Sequence, residues 1–80
     1  LLETQGLISG YYGMLLESRD WEEIRTETRF AKADGLKPLI LKNKYDFYRI
    51  VFYTGGDIGQ YEEAIRTLPD RFTNVKMLQF

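Results

Sequence analysis

Phe47, Arg49, Val51 and Tyr53 alternate along one stretch of the chain, so an extended backbone carries all four to the same side. With Leu15 from an earlier apolar stretch they would make a platform of aromatic rings, aliphatic floor and guanidinium. Such a surface stacks on the faces of sugar rings or bases and hydrogen-bonds at their edges. Bond-breaking chemistry has far less to work with. The chain contains no histidine and no cysteine, which removes Ser–His and Cys–His nucleophile pairs, Cys/His zinc sites and the commonest general base near neutrality. The adjacent carboxylates Glu22-Glu23 and Glu62-Glu63 fall early in predicted helices, where they point apart and favour the helix dipole rather than share a proton. Thr54-Gly55-Gly56-Asp57 lacks the lysine of a phosphate-binding loop and the spacing of a dinucleotide site. It reads as a turn needing positive φ followed by a helix N-cap.

The elements that position the platform come from a pattern used twice. Tyr12-Gly-Met-Leu-Leu16, Asp20-Trp21 and Ile24 are answered by Tyr48-Arg-Ile-Val-Phe52, Asp57-Ile58 and Tyr61, with offsets of 36 and 37 residues. Self-similarity at this spacing marks one supersecondary unit repeated. Each unit reads strand, helix, strand, giving a β-α-β-β-α-β order. Strand one covers Tyr12 to Ser18, with Tyr12, Met14 and Leu16 on one face and Gly13, Leu15 and Glu17 on the other. Asp20 caps helix one, with Glu23 placed for a capping box; Trp21, Ile24, Thr28 and Ala31 share its buried arc, and Gly35 ends it. Phe30 lies nearly opposite that arc, either an aromatic at an edge of the core or part of a contact surface, with the edge of the core the favoured reading. Leu39-Ile40-Leu41 makes strand two, Asn43 to Asp46 a turn, and Phe47 to Tyr53 strand three. Asp57 and Gln60 repeat the capping logic for helix two, with Ile58, Tyr61, Ile65 and Leu68 on one face, and Val75 to Phe80 closes the set as strand four.

Eighty residues with a net charge of −1 make one small domain. Residues 1–10 read as a leader that could extend strand one or tuck against the sheet, and 11–80 as the domain. The missing initial methionine suggests a piece of a longer protein. No basic excess marks a polyanion binder, so no nucleic-acid partner is expected, and no apolar run reaches the length of a membrane span.

If both helices cover one side of the sheet, Tyr48, Ile50 and Phe52 face them. Phe47, Arg49, Val51 and Tyr53 then lie on a second, solvated face. Pattern alone leaves two readings of that face equal: a ligand platform, or a surface covered by the leader or by a second copy in weak self-association.

The phrases Tyr12-Gly-Met-Leu-Leu-Glu-Ser18, Ala33-Asp-Gly35, Phe47-Tyr-Arg-Ile-Val-Phe52 and Tyr61-Glu-Glu-Ala-Ile-Arg-Thr-Leu-Pro69 resemble the SPOR domain, a bacterial sporulation-related repeat, over about residues 11–80. The resemblance implies an α+β, ferredoxin-like βαββαβ sandwich that binds peptidoglycan glycan strands stripped of their stem peptides, at sites of cell division. It implies no catalysis, no cofactor and no metal, and a place in the periplasm or cell envelope. Carried over by position, the glycan-facing residues fall at Leu15, Ser18 and Phe47 with Arg49, and the strand-three face adds Val51 and Tyr53. An RNA-recognition-type sheet shares the element order, and a protein-pairing module would use the same face. Both stand as alternatives.

Overall fold

The computed structural model describes residues 7–80; of the leader, residues 1–6 lie outside the described residues. Strand β1 (Tyr11–Ser18) leads to helix α1 (Trp21–Ala33), β2 (Leu39–Lys42), β3 (Tyr48–Gly55), α2 (Ile58–Arg66) and β4 (Lys76–Gln79). The strands form one antiparallel sheet in the order β2-β3-β1-β4, the α+β ferredoxin-like arrangement. Among the described residues no helix is long and apolar enough to cross a membrane.

Each element begins and ends where its side chains dictate. Asp20 accepts hydrogen bonds from the Glu22 and Glu23 amides, satisfying donors that a helix start leaves free. The return half of the expected box is replaced: the Asp20 amide donates to Ser18 Oγ at 3.0 Å. Before α2 the box is complete, with Gln60 N–H donating to Asp57 Oδ1 and the Asp57 amide donating to Gln60 Oε1. Asn43 shapes the β2–β3 hairpin by accepting from the amides of Tyr45 and Phe47 at 2.8 and 3.0 Å, the way an Asx turn imitates backbone.

Parity in β3 is as the alternation predicts. Tyr48 packs its ring 5.1 Å from Trp21 at the head of α1, and Ile50 and Phe52 follow on that side as buried residues. Beneath α1 they join Ile24, Thr28 and Ala31, the predicted arc. Helix α2 is less well covered: Ile58, expected inside, is 46% exposed, and no residue of α2 is fully buried.

In β1 the predicted alternation breaks. Tyr12 and Met14 lie opposite Tyr53 and Val51, whereas Leu16 lies opposite Ile50 on the helix side. Leu15 has no partner, because a bulge between Met14 and Leu16 inserts one extra residue and shifts the alternation. Gly13 fixes the phase. A Cβ there would come 2.5 Å from the Phe52 ring, so the glycine leaves room on the helix side for that ring. The repeat therefore matches in sequence but not in orientation, since Tyr12 and Tyr48 sit on opposite faces of the sheet.

The helix-free face is covered over half its length. Tyr12, Leu41 and Val51 form a buried cluster there, with Leu7, Met14, Leu39 and Leu78 packed against it. The described part of the leader tucks rather than extends β1: Leu7 packs on the cluster, and Tyr12 Oη donates to the Ile8 carbonyl at 2.6 Å. Gly10 and Phe80 exchange two backbone hydrogen bonds of 3.0 Å. Gly10 has a φ of +146°, and a Cβ on it would stand 2.6 Å from the Gly55 carbonyl oxygen. Only glycine lets the chain pass so close.

Candidate functional site

The register orders the helix-free face into rows running across the strands. The row Leu39–Val51–Met14–Lys76 and the row Tyr53–Tyr12–Leu78 hold most of the covered cluster. Toward the β2–β3 hairpin the next row is Leu41–Arg49–Glu17. Beyond it Phe47 meets Arg19, whose guanidinium carbon stands 4.4 Å from the ring centre. This end of the face is polar, aromatic and open.

Arg49 donates through Nε to Glu17 Oε2 at 2.6 Å, with side chains 39% and 37% exposed. Cross-strand pairing in the sheet places these two directly opposite each other. The result is a donor and an acceptor side by side, held in fixed orientation beside a phenyl ring. Vicinal hydroxyls, amides and carboxylates are the groups such a pair can read. Arg19 covers one side of the Phe47 ring by a cation–π contact, and the ring is half-buried.

The six residues expected at the site do not form one patch. Phe47 and Arg49 lie together at the hairpin end. Val51 is on the expected side but 0% exposed, so it is part of the floor of the covered cluster and presents no surface. Tyr53 is 42% exposed and meets Tyr12 edge-on at 5.2 Å, six residues and about 20 Å of strand from Phe47. Leu15 sits in the bulge, half-buried. Ser18 pairs with Tyr48, placing it on the helix side of the sheet, where its Oγ accepts from the Asp20 amide. Sequence reasoning passed over Glu17 and Arg19. Alternation with Leu15 already sets both on the platform side; what it does not supply is the cross-strand register that puts Glu17 opposite Arg49 or the contact of Arg19 with Phe47.

Burial pushes the Tyr12 phenol above its ordinary pKa, with a further upward push from Tyr53 and a smaller opposing one from the hydrogen bond to Ile8. That places it in the scaffold. Burial likewise raises Tyr61 on α2.

A second concavity of about 490 Å³ lies between the C-terminal ends of the two helices, lined by Asp34, Lys37, Phe52, Thr54, Thr67 and Leu68 among others. Its carboxylate is already engaged. Asp34 Oδ2 is buried 2.7 Å from Arg71 Nη2 without an aligned hydrogen bond, and the Arg71 guanidinium also lies 4.8 Å from the centre of Phe30. That arrangement pins the segment after α2 onto α1.

Comparison with known proteins gives no match: no family model, no curated protein and no solved structure aligns with this chain.

Proposed function

We propose that the chain is a non-catalytic glycan-binding domain whose ligand is the peptidoglycan glycan strand, and that it serves a cell-division or cell-envelope protein in the periplasm. The observation that carries this reading is the Glu17–Arg49 pair set beside the half-buried Phe47 ring on the uncovered end of the sheet face. A sugar needs an apolar ring face to pack against and a fixed donor–acceptor pair for its hydroxyls and amides. This end of the face offers both. Phe47 supplies packing, Arg49 donates, Glu17 accepts, and the exposed Tyr45 of the hairpin turn borders the same end. Leu15, Val51 and Ser18 act in the scaffold, and Tyr53 stands apart at the other end. The resemblance of the sequence to SPOR domains supplies the choice of peptidoglycan among glycans.

Co-sedimentation with purified cell-wall sacculi tests the proposal. Wild-type protein pellets with sacculi, more so after an amidase has removed the stem peptides, and Phe47→Ala releases it. Pelleting indifferent to amidase treatment, or unchanged by Phe47→Ala, rules the reading out.

A further inference from the structure

We infer that the cavity between the C-terminal ends of the two helices binds an uncharged small molecule with an apolar body and an N–H or O–H donor. The site is independent of the glycan reading, because Phe52 in its lining is buried on the helix side of the sheet. Its volume of about 490 Å³ falls in the range of about 300–1,000 Å³ in which small-molecule sites lie. The cavity stays open because the helices keep apart: no Cα of α1 comes within 8 Å of one in α2. Local rules build its walls. Gly35, with a φ of +87°, turns the chain out of α1. The Leu36 and Gly35 amides then donate to the Ala31 and Lys32 carbonyls at 3.0 Å, a Schellman motif that brings half-buried Leu36 to the lining. On the other side Arg71 lies 4.8 and 5.6 Å from the ring centres of Phe30 and Phe72 and holds Asp34. Leu36, Phe52, Ala64 and Leu68 supply the apolar surface.

The polar groups of the lining are acceptors whose own hydrogens are committed. Thr54 Oγ1 donates to the Tyr11 carbonyl at 2.7 Å and Thr67 Oγ1 to the Ala64 carbonyl at 3.0 Å, so both hydroxyls keep only lone pairs. Asp34 Oδ2 is buried, and among the described residues no N–H or O–H is aligned on it. A buried acceptor left in that state is costly. What the cavity lacks is therefore a donor. Charge narrows the choice. Arg71 already balances the Asp34 carboxylate, and exposed Lys37 adds a second cation at the rim, so a cationic ligand gains little. Asp34 and Thr67 are the C-caps of α1 and α2, and the partial negative charge of two helix C-termini disfavours an anion. A neutral donor on an apolar body answers both.

The test titrates the whole chain with indole and with benzofuran, a ring of the same shape that has no N–H, and follows backbone amide shifts by NMR. Indole is expected to move the amides of Gly35, Leu36, Thr67 and Leu68 and to bind about tenfold more tightly than benzofuran. Ala64→Met fills the cavity without touching the Asp34–Arg71 pair, and should abolish those shifts in a chain whose thermal melting shows it folded. The comparison of the two rings on the wild-type chain stands whether or not that variant folds. Equal affinity for indole and benzofuran overturns the donor requirement and with it the inference. So does the absence of shifts at the solubility limit of indole, and so do shifts centred on Phe47 and Arg49, which would put the ligand on the other face of the sheet.

Discussion

Val51 and Arg49 stand two residues apart on the same face of β3, yet Val51 has no exposed surface and Arg49 keeps more than a third of its side chain in solvent. The same division runs across the sheet. Toward the chain termini, Tyr12, Met14, Leu39, Val51 and Leu78 make a second hydrophobic layer under Leu7, which the buried Leu41 carries into the row of Arg49 and Glu17. Toward the hairpin the strands carry Glu17 and Arg49, and the residues just beyond their ends are Arg19 and Phe47. A small domain with no cysteine has few ways to add stability, and a second layer on the otherwise bare side of the sheet is one of them. What remains uncovered is short, polar and ordered by cross-strand pairs. The covered end contributes to folding, and the open end carries the proposed recognition site.

Substitutions should separate these roles. The largest effect is expected from Tyr12→Ala. It removes a ring packed edge-on against Tyr53 and Phe80 together with the hydrogen bond to Ile8, and should cost on the order of 3–5 kcal/mol, read as a fall in the urea midpoint. A loss under about 1 kcal/mol would mean that the second layer is not a core. Gly13→Ala comes next. Its methyl group would press on the Phe52 ring, and overpacking of this kind costs about 1–3 kcal/mol. An unchanged melting temperature would show that the ring can yield and that Gly13 does not set the phase of β1.

At the open end the expectation reverses. Glu17→Gln or Arg49→Gln removes a half-exposed ion pair worth about 0.2–1 kcal/mol, so stability should barely move while glycan affinity drops. A large loss of stability would place the pair among the structural contacts. The smallest signal is in alkaline unfolding. The folded-state pKa of Tyr12 is raised above the 10.0 of a free tyrosine, chiefly by burial. Its contribution is therefore fully present below about pH 10 and lost as pH rises through the folded value. Tyr12→Phe should flatten that decline in a pH series of melting temperatures; an identical profile would show that the phenol is not enclosed.

The order of elements, both N-caps and the parity of β3 were legible in the sequence because they rest on local rules: Asp before a helix, glycine after it, alternation in a strand. Asp20, Asp57, Gly35 and the Tyr48–Ile50–Phe52 side all follow from nearest neighbours. The phase of β1 was not legible. It depends on Gly13 meeting Phe52, a contact between residues 39 apart, and on a bulge at Leu15 that no residue type there announces. The face of Glu17 was as alternation with Leu15 expects, but its partner was not, because the register that sets Glu17 against Arg49 is fixed only once the bulge is in place. The cover over Val51 was equally invisible. A leader that could pair or tuck has the same apolar letters in either case, and the choice is made by Gly10 passing beside Gly55 and joining Phe80.

The division of the sheet face is tested most directly by mapping backbone amide shifts in an NMR titration with soluble, peptide-free glycan strands. The account predicts shifts at Glu17, Arg19, Phe47 and Arg49, with Tyr12, Val51 and the Asp34–Leu68 cleft unmoved. Shifts centred on that cleft, or on Tyr53 and the covered rows, would contradict it.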